Sequence, residues 1–108
     1  MGEAAEQAQV VQWLHRRGWL FTATANGVAA GPAAWRALAR SGVSPGVPDL
    51  LVFEPRKGYV GVALEMKASG GRPSIEQLRW QEALQARGWL ALTVYGAEEA
   101  IAVLEGLG

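Results

Sequence analysis

The chain has 108 residues, of which 50% are apolar and 19% are charged, a balance that excludes a disordered or low-complexity polymer. It has no cysteine and a single histidine, which excludes disulfides, thiol nucleophiles and zinc sites built from Cys and His. Ten basic and ten acidic residues give a net charge of zero, yet nucleic acid is not excluded as a partner, because eight of the basic residues are arginines.

No apolar run approaches the roughly 18 residues of a membrane span. The first residues also lack the basic and apolar regions of a signal peptide. We therefore expect a soluble, cytoplasmic protein without a membrane partner.

Local patterns predict eight helices and strands. Apolar residues at helical spacing indicate the helices, whereas β-branched and aromatic runs indicate the strands. Asn26-Gly27 is typical of a turn, and Ser74 with Gln77 matches a capping box at a helix start. The predicted order is helix, strand, small helix, strand, strand, helix, strand and helix, over about residues 3–17, 19–24, 33–40, 49–53, 59–67, 74–88, 89–95 and 97–104.

The two middle strands are joined by the turn-forming segment 55–58, so we expect them to pair as an antiparallel hairpin. The predicted fold class is α/β (α+β), with a mixed four-stranded sheet flanked by helices. Residues 1–108 are expected to form a single domain. In the helix at 74–88, we expect the buried face to consist of Leu78, the aliphatic part of Gln81, and Leu84.

The first helix carries an acidic residue on its apolar side. At about 100° per residue, Glu3 falls within about 30° of the centre of the apolar stripe, whereas Glu6 lies nearly 90° away on its flank. We therefore expect Glu3 to point inward near the helix start, with Glu6 as the alternative.

Two carboxylates and an ammonium group are predicted to meet at one edge of the sheet. Glu65 and Lys67 are two residues apart on a strand, so their side chains project from the same face. Asp49 begins the neighbouring strand, and hairpin pairing would bring it beside Glu65. Alternatively, Glu65 and Lys67 form only an ion pair on the strand surface.

Two adjacent carboxylates repel each other unless a cation lies between them. An all-oxygen site suits Mg²⁺ or Mn²⁺, with Asp49 and Glu65 as ligands and with Glu3 and the Met66 carbonyl as further candidates. Such an ion lowers the pKa of a bound water and neutralises phosphoryl charge, which is the chemistry of phosphodiester cleavage. Lys67 would then orient the water, stabilise the charge, or act as the base.

Three ordered segments resemble the PD-(D/E)xK nuclease motif set in its VRR-NUC branch. They are GVPDL at 46–50, ALEMK at 63–67 and SIEQLRW at 74–80. The likeness extends to the first helix, the Asn26-Gly27 turn and the last helix, and so covers nearly the whole chain. It implies a restriction-endonuclease-like PD-(D/E)xK core.

The resemblance also implies roles for individual residues. Asp49 and Glu65 would be metal ligands, and Lys67 would be the catalytic lysine. Gln77 would be an active-site residue; the alternative is that it only caps its helix, and the two roles can coexist. Glu3 would supply the acidic ligand of the first helix. The implied activity is Mg²⁺- or Mn²⁺-dependent cleavage of DNA.

Short stand-alone members of the family, common in phages, resemble homodimeric Holliday junction resolvases, and a phage protein of this kind would act in the host cytosol. Expected DNA contacts are Arg72, Arg36, Arg40 and Asn26, although Arg72 is equally explained as a solvated loop charge. One alternative is a less selective nickase, restriction-like or flap nuclease that uses the same site. Another is a non-catalytic DNA-binding module that has kept the fold.

Overall fold

A computed structural model describes residues 2–24 and 31–108 of the chain. The predicted turn at Asn26-Gly27 lies outside the described residues. The helices and strands follow the predicted order as α1 (Glu3–Arg17), β1 (Phe21–Ala23), α2 (Pro32–Arg40), β2 (Leu50–Val52), β3 (Val62–Lys67), α3 (Ile75–Gln85), β4 (Leu90–Tyr95) and α4 (Ala97–Leu107).

The four strands form one mixed sheet in the order β1-β2-β3-β4. The first three strands pair antiparallel, and β4 runs parallel to β3, because α3 carries the chain across the sheet between them. The predicted fold class and the central hairpin are therefore confirmed. In the hairpin, Leu50 pairs with Leu64 and Val52 pairs with Val62.

The strand predicted over 59–67 begins three residues later than expected, at Val62. The backbone of Arg56 pairs with that of Tyr59 around Lys57 and Gly58, whose φ angles are 53° and 86°. Two consecutive positive φ angles form the tightest hairpin turn, so the chain has reversed by Tyr59 and joins the sheet only afterwards.

Helices α1 and α4 cover one face of the sheet with apolar side chains. Leu64 and Met66 point to this face from β3, and both are fully buried. They belong to a core that also includes Val10, Trp13, Leu14, Trp19, Leu50, Val52, Val62, Val94, Ala97, Ala100, Leu104 and Leu107. No helix in residues 2–24 and 31–108 combines the length and the hydropathy that a membrane crossing requires.

Helix α3 covers the opposite face, and its buried side differs from the prediction. Gln81 is buried as expected and Leu84 is half-buried, but Leu78 is 44% exposed. The amide of Gln81 donates to the Thr93 hydroxyl over 2.8 Å, and Gln85 donates to the Ala91 carbonyl over 2.8 Å. Glutamines one turn apart face the sheet because β4 offers them acceptors, which a hydropathy pattern does not register.

Candidate active site

Asp49 is held at the start of β2 by contacts on both sides. The backbone N–H of Thr24, at the end of β1, donates to the Asp49 carbonyl over 2.9 Å, and the Thr24 hydroxyl donates to the Pro48 carbonyl over 2.9 Å. The Asp49 carboxylate accepts a 2.8 Å hydrogen bond from the backbone N–H of Met66. The side chain is therefore fixed against β3, directly beside Glu65 in the strand register.

Glu65 is a buried carboxylate with only 2% of its surface exposed. Its Oε2 accepts a 2.9 Å hydrogen bond from the Gln77 amide and lies 3.6 Å from the Lys67 ammonium. Its other oxygen, Oε1, is buried and receives no hydrogen bond from an N–H or hydroxyl group of the described residues. A buried acceptor without a donor is costly, so this oxygen marks a place where a ligand would be favourable.

The surroundings of Glu65 favour its neutral form in the absence of other ligands. The pKa of Glu65 is raised to about 8, first by burial and then by the charge of Asp49 and a hydrogen bond shared with its carboxylate. Lys67 opposes this shift by stabilising the carboxylate. A proton on Glu65 thus relieves the repulsion between the two carboxylates in the absence of an ion, and a cation bound between them would do the same.

These features fit a hard divalent cation. The predicted donors are all oxygens, and the buried Oε1 of Glu65 is free to coordinate. Within residues 2–24 and 31–108, no three Asp, Glu, His or Cys side chains lie close enough together to hold an ion. The Asp49 and Glu65 side chains, the Met66 carbonyl and water are the donors that such an ion would use.

Glu3 and Glu6 both line a cavity of about 220 Å³ at the ends of β3 and β4, next to Met66 and Lys67. Glu6 is already engaged, because its carboxylate accepts a hydrogen bond from the backbone N–H of Ala97 at the start of α4. Glu3 is exposed, and the structure does not gather it with the Asp49 and Glu65 pair. Its role as a metal ligand stays a prediction.

Gln77 combines the two roles that the sequence left open. Its side-chain oxygen accepts from the backbone N–H of Ser74 over 2.7 Å, while its own backbone N–H donates to the Ser74 hydroxyl over 3.2 Å. The capping box is thus formed. Because the oxygen is engaged in the cap, the NH₂ group of the same amide is the one directed at Glu65.

The residues predicted to contact DNA lie at different places. Arg72 is exposed in the loop that follows β3, within two residues of Ser74 at the start of α3. Arg36 and Arg40 are exposed on α2, and Asn26 lies outside the described residues. All four DNA contacts stay predictions.

Sequence reasoning missed Thr24, and it considered Glu6 only as an alternative metal ligand. The Thr24 hydroxyl holds the backbone just before Asp49 through the Pro48 carbonyl, and the Glu6 carboxylate accepts from the first N–H of α4 beside the cavity. A threonine at a strand end has no distinctive pattern, because its partner is a backbone carbonyl 24 residues away. Glu6 had a weak signal in its position on the flank of the apolar stripe.

Comparison with known proteins finds one family model and solved structures of similar fold. A family model described as VRR-NUC domain matches residues 1–98. One solved structure, described as a VRR_NUC domain protein, is similar with a TM-score of 0.83 and 25% identity, covering 99% of this chain and 88% of the other. Another, described as a VRR_NUC domain, is similar in fold with a TM-score of 0.66 and 24% identity over 95% and 94% of the two chains. The curated proteins contain no match.

Proposed function

The chain belongs to the VRR-NUC domain family, which has a nuclease-type fold, and from this premise we propose that it is a divalent-metal-dependent endonuclease that hydrolyses phosphodiester bonds in DNA. The observation that carries the proposal is the buried Glu65 carboxylate, which lies beside Asp49 and Lys67 and whose Oε1 receives no hydrogen bond from an N–H or hydroxyl group of the described residues. A purely structural buried carboxylate would have both oxygens satisfied.

In this mechanism, Asp49 and Glu65 would hold Mg²⁺ or Mn²⁺, and Gln77 would keep the Glu65 carboxylate in its orientation through the 2.9 Å hydrogen bond. The ion, when bound, lowers the pKa of water and offsets charge on the phosphate. Lys67 lies on the same face of β3 with 19% of its side chain exposed, so its ammonium can reach a phosphate at the surface. It would stabilise the charge that develops on the phosphoryl oxygens.

The preferred substrate in this proposal is branched DNA, with a four-way junction cut by a homodimer. Two active sites related by a two-fold axis suit symmetric nicking of such a junction. Arg72 is exposed beside the site and supports the approach of a phosphate backbone from the α3 side. A nickase, restriction-like or flap nuclease would use the same residues on other DNA structures.

The test is cleavage of a labelled four-way junction and of a linear duplex with the same arm sequence, each with Mg²⁺, Mn²⁺ or a chelator. We expect metal-dependent cleavage that is faster on the junction, by a protein that sediments as a dimer. Equal rates on both substrates would favour the less selective nuclease, and a monomer would contradict the resolvase assignment.

The two lysines of the chain give a matched pair of variants. We expect Lys67→Gln to reduce the cleavage rate by about 10²–10⁴-fold, because the site loses its cation beside Glu65. Lys57→Gln removes the same charge from the turn before β3 and should cleave like the wild type. No cleavage of any DNA by the wild type, or undiminished cleavage by Lys67→Gln, would refute the proposed function.

A further inference from the structure

The loop before β2 touches the first turn of α3 at a point where no side chain fits. A Cβ atom added to Gly46 would lie 2.6 Å from the carbonyl carbon of Glu76 and 2.8 Å from the backbone nitrogen of Gln77. Ordinary contact begins at about 3.4 Å, so the two segments pack backbone to backbone. Gly46 also has a φ of 88°, which side chains rarely adopt.

This contact fixes the turn that carries Gln77. The Gln77 backbone N–H is held from within α3 by the Ser74 hydroxyl, and its side-chain oxygen is held by the Ser74 backbone N–H. With the amide oriented in this way, the distance from Gln77 to Glu65 depends on how close the turn lies to the loop. That distance is 2.9 Å, within the range of a good hydrogen bond.

We propose that Gly46 is a positioning residue of the candidate active site, which seats the capped first turn of α3 so that the Gln77 amide reaches the buried Glu65 carboxylate. A methyl group at position 46 must push the loop and the turn apart by about 0.8 Å to reach ordinary contact. A shift of that size directed away from Glu65 would lengthen the 2.9 Å Gln77–Glu65 hydrogen bond past its usual limit of about 3.2 Å.

The effect on metal binding rests on the proposed function. Hydrogen bonds to a ligating carboxylate fix its orientation, and their loss typically costs about 10–100-fold in metal affinity. Gly46 would therefore influence the ion through Gln77 and Glu65 without touching it. If Gly46 had only a general role in folding, its substitution would weaken metal binding whether or not Gln77 is present. The proposed effect on metal affinity requires Gln77.

A first measurement uses neither metal nor DNA. In ¹⁵N-labelled protein, the side-chain amide of Gln77 is assigned by its absence from the spectrum of Gln77→Ala. We expect an amide proton shifted downfield by the hydrogen bond to Glu65 in the wild type, and a shift typical of free glutamines in Gly46→Ala. An unchanged Gln77 amide signal in Gly46→Ala would overturn the proposal.

A second measurement is Mn²⁺ titration by calorimetry across a double-mutant cycle. We expect Gly46→Ala and Gln77→Ala each to weaken Mn²⁺ binding by about 10-fold, and the double variant to bind no more weakly than either one. Additive losses would show that Gly46 acts through Asp49 or through the fold, and would overturn the proposal.

Gly42 provides the matched control. Its φ is 99°, so an alanine there meets the same backbone strain, but its Cβ would enter open space. We expect Gly42→Ala to lower Tm while leaving the Gln77 amide signal and the Mn²⁺ affinity unchanged. Weakened Mn²⁺ binding in Gly42→Ala would assign the effect to strain and overturn the proposal.

Should Gly46→Ala fail to fold, Ser74→Ala tests the same turn. It removes the hydroxyl that holds the Gln77 backbone N–H, and we expect the Gln77 amide signal to move toward that of free glutamines. An unmoved signal would overturn the proposal. A wild type that binds no Mn²⁺ and cleaves no DNA would refute the proposed function. The position of the Gln77 amide would still be measurable, because that experiment needs neither metal nor DNA.

Discussion

On one face of the sheet, α1 and α4 form an apolar layer in which Leu14, Leu64 and Leu104 are completely buried. On the other face, α3 forms hydrogen bonds from Gln77 and Gln81 to side chains of the sheet, while its apolar residues Ile75 and Leu78 are exposed. The apolar face removes surface from water without requiring precise directions. The polar face contributes less stability but more precise orientation, because each hydrogen bond adds only about 1 kcal/mol net and fixes the direction of the groups that it joins.

Stability therefore depends mainly on the face covered by α1 and α4, and the geometry of the candidate site depends mainly on the face covered by α3. Glu65 and Leu64 are neighbours on β3 and both are buried, yet they point to opposite faces. Substitutions at these two positions should therefore have opposite consequences for stability.

The largest expected effect on stability comes from the apolar face. Leu64→Ala should lower the free energy of unfolding by about 2–5 kcal/mol, because it leaves a cavity under two helices. Urea denaturation followed by circular dichroism measures this loss. Leu78→Ala on α3 removes the same atoms from a side chain that is 44% exposed, and should change stability by no more than about 0.5 kcal/mol. Equal losses at the two positions would contradict the division between the faces.

Glu65→Gln should stabilise the metal-free protein at alkaline pH. The folded-state pKa of Glu65 is about 8, above its ordinary value of 4.5, so the folded protein holds a proton that the unfolded chain releases. The stability that Glu65 contributes is complete below pH 4.5 and is lost as the pH rises through about 8, with a slope on the order of 1 kcal/mol per pH unit. Thermal denaturation across this range, in the presence of a chelator, measures the slope.

The control for this experiment is Glu82→Gln, which removes an exposed carboxylate from the outer side of α3. It should retain the pH slope of the wild type, whereas Glu65→Gln should flatten it. Cleavage should be lost only in Glu65→Gln. A wild-type stability that rises between pH 4.5 and about 8 would show that Glu65 is not the group that dominates this range.

The sequence predicted the apolar face better than the polar one. The bounds of α1 agree with the prediction, and β2 and β3 pair antiparallel as the predicted central hairpin. The prediction for α3 assumed that leucines face inward, and Leu78 does not. Hydropathy patterns encode burial in apolar surroundings, but they hold no information about which polar atoms of the sheet will face a helix.

The site was predictable to the same degree. The proximity of Asp49, Glu65 and Lys67 followed from strand alternation and hairpin pairing, both of which are local rules. The link from Gln77 to Glu65 and the contact of Gly46 with α3 join segments that are distant along the chain. Such contacts depend on how α3 and the loop before β2 pack against each other and against the sheet. The spacing of residues along the sequence does not determine that packing.

A metal ion bound at the site should raise the free energy of unfolding of the protein. At a Mg²⁺ or Mn²⁺ concentration ten times its Kd, the folded state gains about 1.4 kcal/mol. The gain should require Asp49 and should be larger at pH 8 than at pH 6, because a proton on Glu65 competes with the ion. Differential scanning fluorimetry of the wild type and Asp49→Asn measures it. An equal rise in Tm for both proteins would place the bound ion elsewhere.

The smallest expected effect concerns the hydrogen bond between Gln81 and Thr93, which lies one helical turn beyond Gln77. Gln81→Leu should cost about 1 kcal/mol, because the Thr93 hydroxyl loses its 2.8 Å partner in a partly buried place. Adding Thr93→Val removes the stranded hydroxyl, so the double variant should recover most of that loss. A coupling of about 1 kcal/mol in this cycle, measured by urea denaturation, would show that the polar face adds little net stability.

Because Thr93 lies beside Glu65 in the β3–β4 register, a double variant that keeps its stability but loses Mn²⁺ affinity would show that hydrogen bonds on this face serve to orient the site.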